Sequence, residues 1–271
     1  MRKSTLILSA TLLVLVFACT TNPFTGNKDL NFVSNDQLFP TAFQQYDQFL
    51  SENKVVKGTA DANRVVTVGQ KIRSAAERYL NAKGYQGYLE GYQWEYNLVQ
   101  DPAVNAWCMP GGKIVVYTGI LPITKTDAGL ATVMGHEVAH ALVNHGAQRM
   151  SASTIQQLGA VGVGVATSGK SAEAQQLYMQ AYGITTELGG MLPFSRKHEN
   201  EADEIGLILM AIAGYNPEEA VSFWQRMEAG SGGGAPPEFL STHPSSNTRI
   251  NNIRKLIPKA KAEAAKFGVR Y

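Results

Sequence analysis

The sequence predicts an α+β fold, mainly helical, with a small antiparallel sheet laid beside one central helix. Three observations carry that expectation. The stretch Met134-Gly135-His136-Glu137-Val138-Ala139-His140-Ala141-Leu142 has helical periodicity, with Val133, Val138, Leu142 and Val143 supplying an apolar surface to bury. Tyr92 to Val99 alternates Tyr92, Trp94, Tyr96 and Leu98 on one face, which is a strand pattern. Lys113 to Gly119 is rich in β-branched residues and bounded by glycines, a second strand.

A helix turns about 100° per residue, so side chains four apart lie one above the other. His136 and His140 can therefore present two imidazole nitrogens to one metal ion, and Glu137 can reach a water there without being a ligand. The chain holds five histidines, so H-E-x-x-H arises by accident about once in a hundred such compositions. The pattern points to zinc, and it needs a third ligand.

With 271 residues and 44% hydrophobic content, the chain can bury a full core as one domain behind a targeting segment. The expected division is 1–18 signal peptide, 19–34 lipidated N-terminus and tether, and 35–271 a single domain. Arg2 and Lys3 precede an apolar run, Leu6 to Phe17, and then Ala18-Cys19. That is a positive start, a short hydrophobic region and a small residue at the cut. The run is shorter than the roughly 20 residues a membrane span needs. Val16-Phe17-Ala18-Cys19 resembles the lipobox of bacterial lipoproteins, which implies acylation at Cys19; ordinary cleavage with Cys19 incidental is the other reading. Thr20, rather than an acid, follows the cysteine, and by the sorting rule of enteric-type bacteria this implies the outer membrane.

Net charge is +2, and removing Arg2 and Lys3 leaves 22 basic against 22 acidic residues. That balance gives no reason to expect a nucleic-acid partner. Cys108 then has no partner for a disulfide and is expected to be a small buried hydrophobe.

Asn22-Pro23-Phe24-Thr25-Gly26 reads as a turn in the tether. Ser34-Asn35-Asp36 offers caps for a helix carrying Leu38, Phe43, Tyr46, Phe49 and Leu50, and a second helix runs from about Ala60 to Ala82 and stops at Gly84. The segment Gly112, Lys113, Ile114, Val115, Val116, Tyr117, Thr118 is assigned as an edge strand holding an extended substrate backbone; an ordinary interior strand is the alternative.

The metal helix should begin at Thr126-Asp127 and end near Gly146. His145 lies about 140° round from His140 and cannot share its metal. The longer metzincin pattern is excluded, because Val143 and Gly146 stand where it needs Gly and His. Ser151 to Ser168 is rich in small residues (Gly159, Gly162, Gly164) and its apolar part is too short to cross a bilayer.

The third ligand is sought in Ser195 to Gly206. An acidic cluster at a helix start also suits the helix dipole. Yet Glu199 and Asp203 are four apart on one face, while Glu201 points about 200° away from Glu199. Glu199 is therefore chosen as ligand, with Asp203 behind it orienting an imidazole, and Glu201 as solvent-facing or structural.

His136-Glu137-x-x-His140 with Glu199-x-x-Ala202-Asp203 resembles the gluzincin metallopeptidases of the HtpX and Ste-type CAAX prenyl protease family. Asn105-Ala106, Pro110-Gly111-Gly112 and His145-Gly146-x-Gln148-Arg149-Met150-Ser151 are similar to its periplasmic lipoprotein members of the LoiP (YggG) and BepA type, the single-domain LoiP form fitting better. The resemblance implies a zincin-type fold and a metalloendopeptidase with one zinc ion (Zn2+) per chain. It also implies that His243 and Arg249, in Ser241-Thr242-His243-Pro244-Ser245-Ser246-Asn247-Thr248-Arg249, face the reacting carbonyl. Ser245 or Ser246 capping a C-terminal helix is the plainer reading of that block.

The expected activity is peptide hydrolysis with Glu137 as general base, on extended polypeptides. The place is the bacterial envelope: the periplasm, membrane-anchored through Cys19. By resemblance the role is quality control of misfolded or misassembled envelope proteins. The alternative is a non-catalytic zinc-binding lipoprotein acting as a chaperone or assembly factor. The run Gly230 to Pro237 is glycine-rich and would let His243 swing into the open metal position.

Overall fold

The computed structural model describes residues 19–230 and 237–271. The expected signal peptide and the glycine-rich run 231–236 lie outside the described residues. In chain order the elements are β1 (Cys19–Thr21), β2 (Lys28–Leu30), α1 (Asn35–Glu52), β3 (Val55–Val56), α2 (Ala60–Ala82), β4 (Glu95–Val99), β5 (Ala106–Met109) and β6 (Lys113–Tyr117). The helices α3 (Leu121–Thr124), α4 (Asp127–Leu142), α5 (His145–Thr167), α6 (Ala172–Thr186), α7 (Leu192–Ile212), α8 (Glu219–Ala229), α9 (Glu238–Thr242) and α10 (Asn247–Ala265) follow. They fall into two compact units. One is built from residues up to 34 and 144–197, the other from 35–143 and 198–271.

The larger unit holds a four-stranded sheet in the order β3-β4-β6-β5. The sheet is mixed rather than antiparallel: β4 pairs parallel with β6, while β3 and β5 run antiparallel to their neighbours. The difference arises at Gly111 and Gly112, whose positive φ values of 84° and 86° turn β5 back on itself. The returning strand β6 inserts beside β4, and β5 is left at the edge. Gly112–Thr118, expected as an edge strand, is therefore an interior one, with Lys113 to Val116 all buried. Its unbroken apolar run Ile114-Val115-Val116 suits a strand covered on both faces.

One cluster of the core forms around Tyr46, Val99 and Val115, with Phe49, Trp107 and Tyr117 packed on it. The Tyr46 hydroxyl donates to Ile114 O at 3.2 Å and accepts from Asn97 Nδ2 at 2.9 Å, so this buried phenol is satisfied. Helix α2 meets β4 through Gly69: a Cβ there would lie 2.2 Å from the Tyr96 ring. Thr59 caps α2 and Gly84, at φ 84°, follows its end.

Helices α4 and α7 cross where neither has a side chain. A Cβ on Gly135 would stand 2.9 Å from Gly206 O, and one on Gly206 would stand 2.9 Å from His136 N. Buried Ile205, Leu209, Met210 and Ile212 continue α7 into the core, and Gly214 at φ 89° closes it.

In the smaller unit, β1 and β2 pair antiparallel about a turn in which Asn22 Oδ1 accepts from Phe24 N at 2.9 Å, so the stretch expected as a tether carries a hairpin. The Phe32 amide donates to Ser151 Oγ on α5 at 3.0 Å. Helices α5 and α6 form a second hairpin, pinned by Tyr182 OH donating to Gln156 O (2.9 Å) and Gln156 Nε2 donating to Thr186 Oγ1 (2.8 Å). Among the described residues no helix is long and apolar enough to cross a membrane.

Gly206→Ala should lower stability by about 1–3 kcal/mol, because backbone must move to admit one methyl group. Gly162→Ala, whose Cβ meets nothing within 4 Å, should be neutral or stabilising by up to about 1 kcal/mol. Thermal denaturation of the two variants side by side checks this.

Candidate metal centre

Helix α4 starts at Thr126, whose hydroxyl accepts from Gly129 N at 3.0 Å, and is buried from Gly129 to Leu142. It ends before the expected Gly146: Val143 is the C-cap and Asn144 takes the left-handed conformation, φ 55°, that starts α5. His136 and His140, one turn apart, bring their Nε2 atoms to 3.1 Å. From α7, Glu199 Oε2 lies 3.3 Å from His136 Nε2, and Oε1 lies 3.3 Å from His140 Nε2. His243, just past α9, places Nδ1 3.1 Å from His136 Nε2 and 3.0 Å from Glu199 Oε2.

These four buried side chains form a group able to hold a metal ion. Ligands about 2.0–2.1 Å from a tetrahedral zinc ion are about 3.3–3.4 Å apart, close to the spacing seen. The chemistry agrees. Ring nitrogens 3.1 Å apart need a proton or a cation between them, and Glu199 Oε1 is buried without a well-aligned hydrogen bond. The donor set fits zinc.

Behind the imidazoles lies a charged relay. Asp203 Oδ1 is 3.0 Å from His136 Nδ1 and fixes that ring's orientation. Arg249 grips Asp203 with both prongs, Nη2 to Oδ1 at 2.7 Å and Nε to Oδ2 at 2.8 Å. Its guanidinium carbon lies 3.7 Å from the centre of the Trp224 ring. Nη1 donates to Pro244 O at 3.1 Å and lies 3.2 Å from Glu199 Oε2. The resemblance would aim Arg249 at a reacting carbonyl; here its donors are committed to Asp203, Glu199 and the backbone.

Burial raises the pKa of Asp203, but Arg249 and His136 outweigh it and hold the group below its ordinary value. Burial works against a charge on His136 too, yet Asp203 and Glu199 prevail and hold its pKa at about 9. Glu199 is held well below the carboxylate range, burial being overcome by the three imidazoles.

Glu137 is buried beside His136, with Oε1 3.3 Å from His243 Nε2. Burial pushes the Cys108 thiol well above its ordinary value, and the nearby Glu137 carboxylate adds to this. The edge strand β5 thus passes the site. Tyr117 N donates to Asn105 O, so alternation turns the N–H and C=O groups of Ala106 and Cys108 away from β6. On that open edge Val104 O already accepts from Phe239 N at 3.0 Å, the start of the His243-bearing segment.

Residues 68–257 match the family model described as Peptidase family M48. The chain belongs to peptidase family M48. It is 36% identical over 204 residues to "Mitochondrial metalloendopeptidase OMA1" of Saccharomyces cerevisiae, covering 73% of this chain and 56% of that protein. It is 31% identical over 259 residues to "Metalloendopeptidase OMA1, mitochondrial" of Homo sapiens, covering 92% and 48%. "Metalloprotease YcaL" of Escherichia coli is 25% identical over 257 residues, 93% of this chain and 99% of that one. The chain spans about half the length of the OMA1 relatives it matches. The four residues of the donor group all lie within the matched span.

The structure brings together His136, Glu137, His140, Glu199, Asp203, His243 and Arg249. Glu201 is buried, so of the two places expected for it the solvent-facing one is excluded. The described part of Cys19 is its backbone, which opens β1. Sequence reasoning missed Trp224 and Phe239. Trp224 carries Arg249, and the Phe239 ring packs 4.6 Å from that of His243. Both sit in apolar helical surroundings that read as core. Asp203→Asn should weaken zinc affinity about 10–100-fold, and Glu199→Ala by more; competition with a chromogenic chelator measures both.

Proposed function

We propose that this chain is a zinc-dependent endopeptidase of the bacterial cell envelope, of the LoiP-like kind, in which Glu137 moves the proton. The observation that supports it most is the placement of Glu137 directly beside the four-donor group, buried and off the donor set itself. When bound, zinc supplies Lewis acidity, polarising a carbonyl and lowering the pKa of a bound water from about 15.7 toward about 7. Glu137 would accept a proton at its carboxylate from the attacking water and pass it to the leaving amine. Asp203 and Arg249 hold His136 in one tautomer and one orientation throughout. The substrate backbone lies extended along the outer edge of β5, pairing with the outward Ala106 carbonyl and Cys108 main chain by strand addition, the Ala106 amide being held by Asn105 Oδ1 at 2.9 Å. This replaces Gly112–Thr118 in that role.

His243 blocks the site at rest, because its Nδ1 completes the donor group where a substrate carbonyl must arrive. Displaced by substrate, it turns toward the developing oxyanion. Four protein donors are also the hallmark of a structural zinc site, and this favours the second reading, a non-catalytic zinc-binding lipoprotein.

The envelope assignment rests on residues 1–19. Arg2, Lys3, the Leu6–Phe17 run and Cys19 make a lipoprotein leader, whereas mitochondrial presequences are Arg-rich and amphipathic. The outer membrane as the anchor's site follows from Thr20. Misfolded or misassembled envelope proteins are the substrates, since an edge strand reads main chain and tolerates many side chains.

Glu137→Gln should keep one zinc per chain and lose casein hydrolysis by at least about 100-fold. Unchanged hydrolysis, or loss of zinc as well, removes the proton-carrier role. His243→Ala should raise basal hydrolysis several-fold. Equal or lower activity with zinc retained sinks the blocking role.

A further inference from the structure

The smaller unit carries a surface that the peptidase reading does not use. Of the fourteen exposed large hydrophobic residues among those described, eleven lie between Met150 and Leu192. Leu158, Val161, Val165, Leu177 and Leu188 are each 63–70% exposed. On α5, Ile155, Leu158, Val161 and Val165 recur at helical spacing along one face, and on α6 Leu177 and Ile184 do the same. A concentration of exposed apolar side chains on one pair of helices marks a contact surface.

Its charge pattern narrows the partner. From Met150 to Thr186 the only charged residues are Lys170 and Glu173; the remaining polar positions are Ser, Thr, Gln and Tyr. A protein-binding face is ordinarily rimmed with charge that sets partner and register. A long apolar stripe backed by small uncharged polar residues suits a bilayer interface, where the apolar side chains enter packing defects between head groups. The order of the sequence agrees. Leu6–Phe17 leads directly into β1, β1 pairs with β2, and Phe32 just beyond β2 is bonded to α5. The unit that bears the patch therefore also holds β1, the first described element after that apolar run in the sequence.

We propose that the α5–α6 hairpin, residues 145–186, lies in the interface of a lipid bilayer with its apolar stripe inserted. It does so without crossing, since neither helix is long and apolar enough. Arg149 and Lys170 are the hairpin's only Lys or Arg residues, so insertion is driven by apolar area rather than by lipid charge. The contact is separate from any modification of Cys19 and from the metal centre, so it stands or falls apart from the peptidase reading.

The full chain is mixed with vesicles of phosphatidylcholine carrying a diazirine on one acyl chain, irradiated, and digested for mass spectrometry. Adducts are expected on Leu158, Val161, Val165, Leu177 and Ile184, at equal yield when phosphatidylglycerol or high salt is added. The triple variant Leu158→Glu, Val165→Glu, Leu177→Glu, all at exposed positions, should lose hairpin adducts about tenfold or more while zinc content and circular dichroism stay unchanged. Adducts confined to the first nineteen residues overturn the proposal. Hairpin adducts that require anionic lipid overturn it as well. So does concentration-dependent pairing in vesicle-free solution that the triple variant abolishes, which assigns the patch to a second copy of the chain.

Discussion

Backbone meets backbone where Gly135 faces Gly206, and the metal centre depends on that approach. Helices ordinarily pack with axes 8–10 Å apart because side chains hold them off. Two opposed glycines remove that spacer at one level. His136 is the next residue beyond Gly135, and Asp203 is one turn before Gly206. Closest approach therefore falls at the level where imidazole must touch carboxylate. Any side chain at either position pushes His136 away from Asp203, and with it the rest of the donor group.

The centre is also a problem of buried charge. Glu137, Glu199 and Asp203 are three carboxylates out of water, against one guanidinium, Arg249. Isolated carboxylates do not stay ionised in such surroundings. A divalent cation, displacing the proton that Asp203 and Glu199 hold on His136, brings the sum to zero and turns a costly cluster into a neutral one. The Trp224 face under Arg249 keeps water from that guanidinium and strengthens its grip on Asp203. The centre is thus three layers deep: donor group, Asp203, then Arg249 on Trp224.

Much of this was legible in the sequence because it depends on helical period. His136 and His140, and Glu199 and Asp203, are each four apart, and that spacing alone put them on shared faces. Helices α1 and α2 were legible from caps and apolar spacing. The order of strands was not. Nothing local distinguishes an interior strand from an edge one, although the run Ile114-Val115-Val116, apolar on both faces, was a signal for burial. The early end of α4 turned on Asn144 adopting a left-handed conformation, a choice open to few residues but obligatory for none. The partners of Arg249 were invisible because Trp224, Pro244 and Asp203 come from three separate elements.

The contact between His136 and His243 spans 107 positions of chain, and Arg249, which holds Asp203, lies 113 positions beyond His136. A chain made from its N-terminus folds its early parts first. While α4 is already complete, its imidazoles lack Glu199, and the arginine that steadies them has yet to be added. A nascent chain therefore lacks the complete donor group until late in its synthesis. The arginine that steadies Asp203 arrives only with α10.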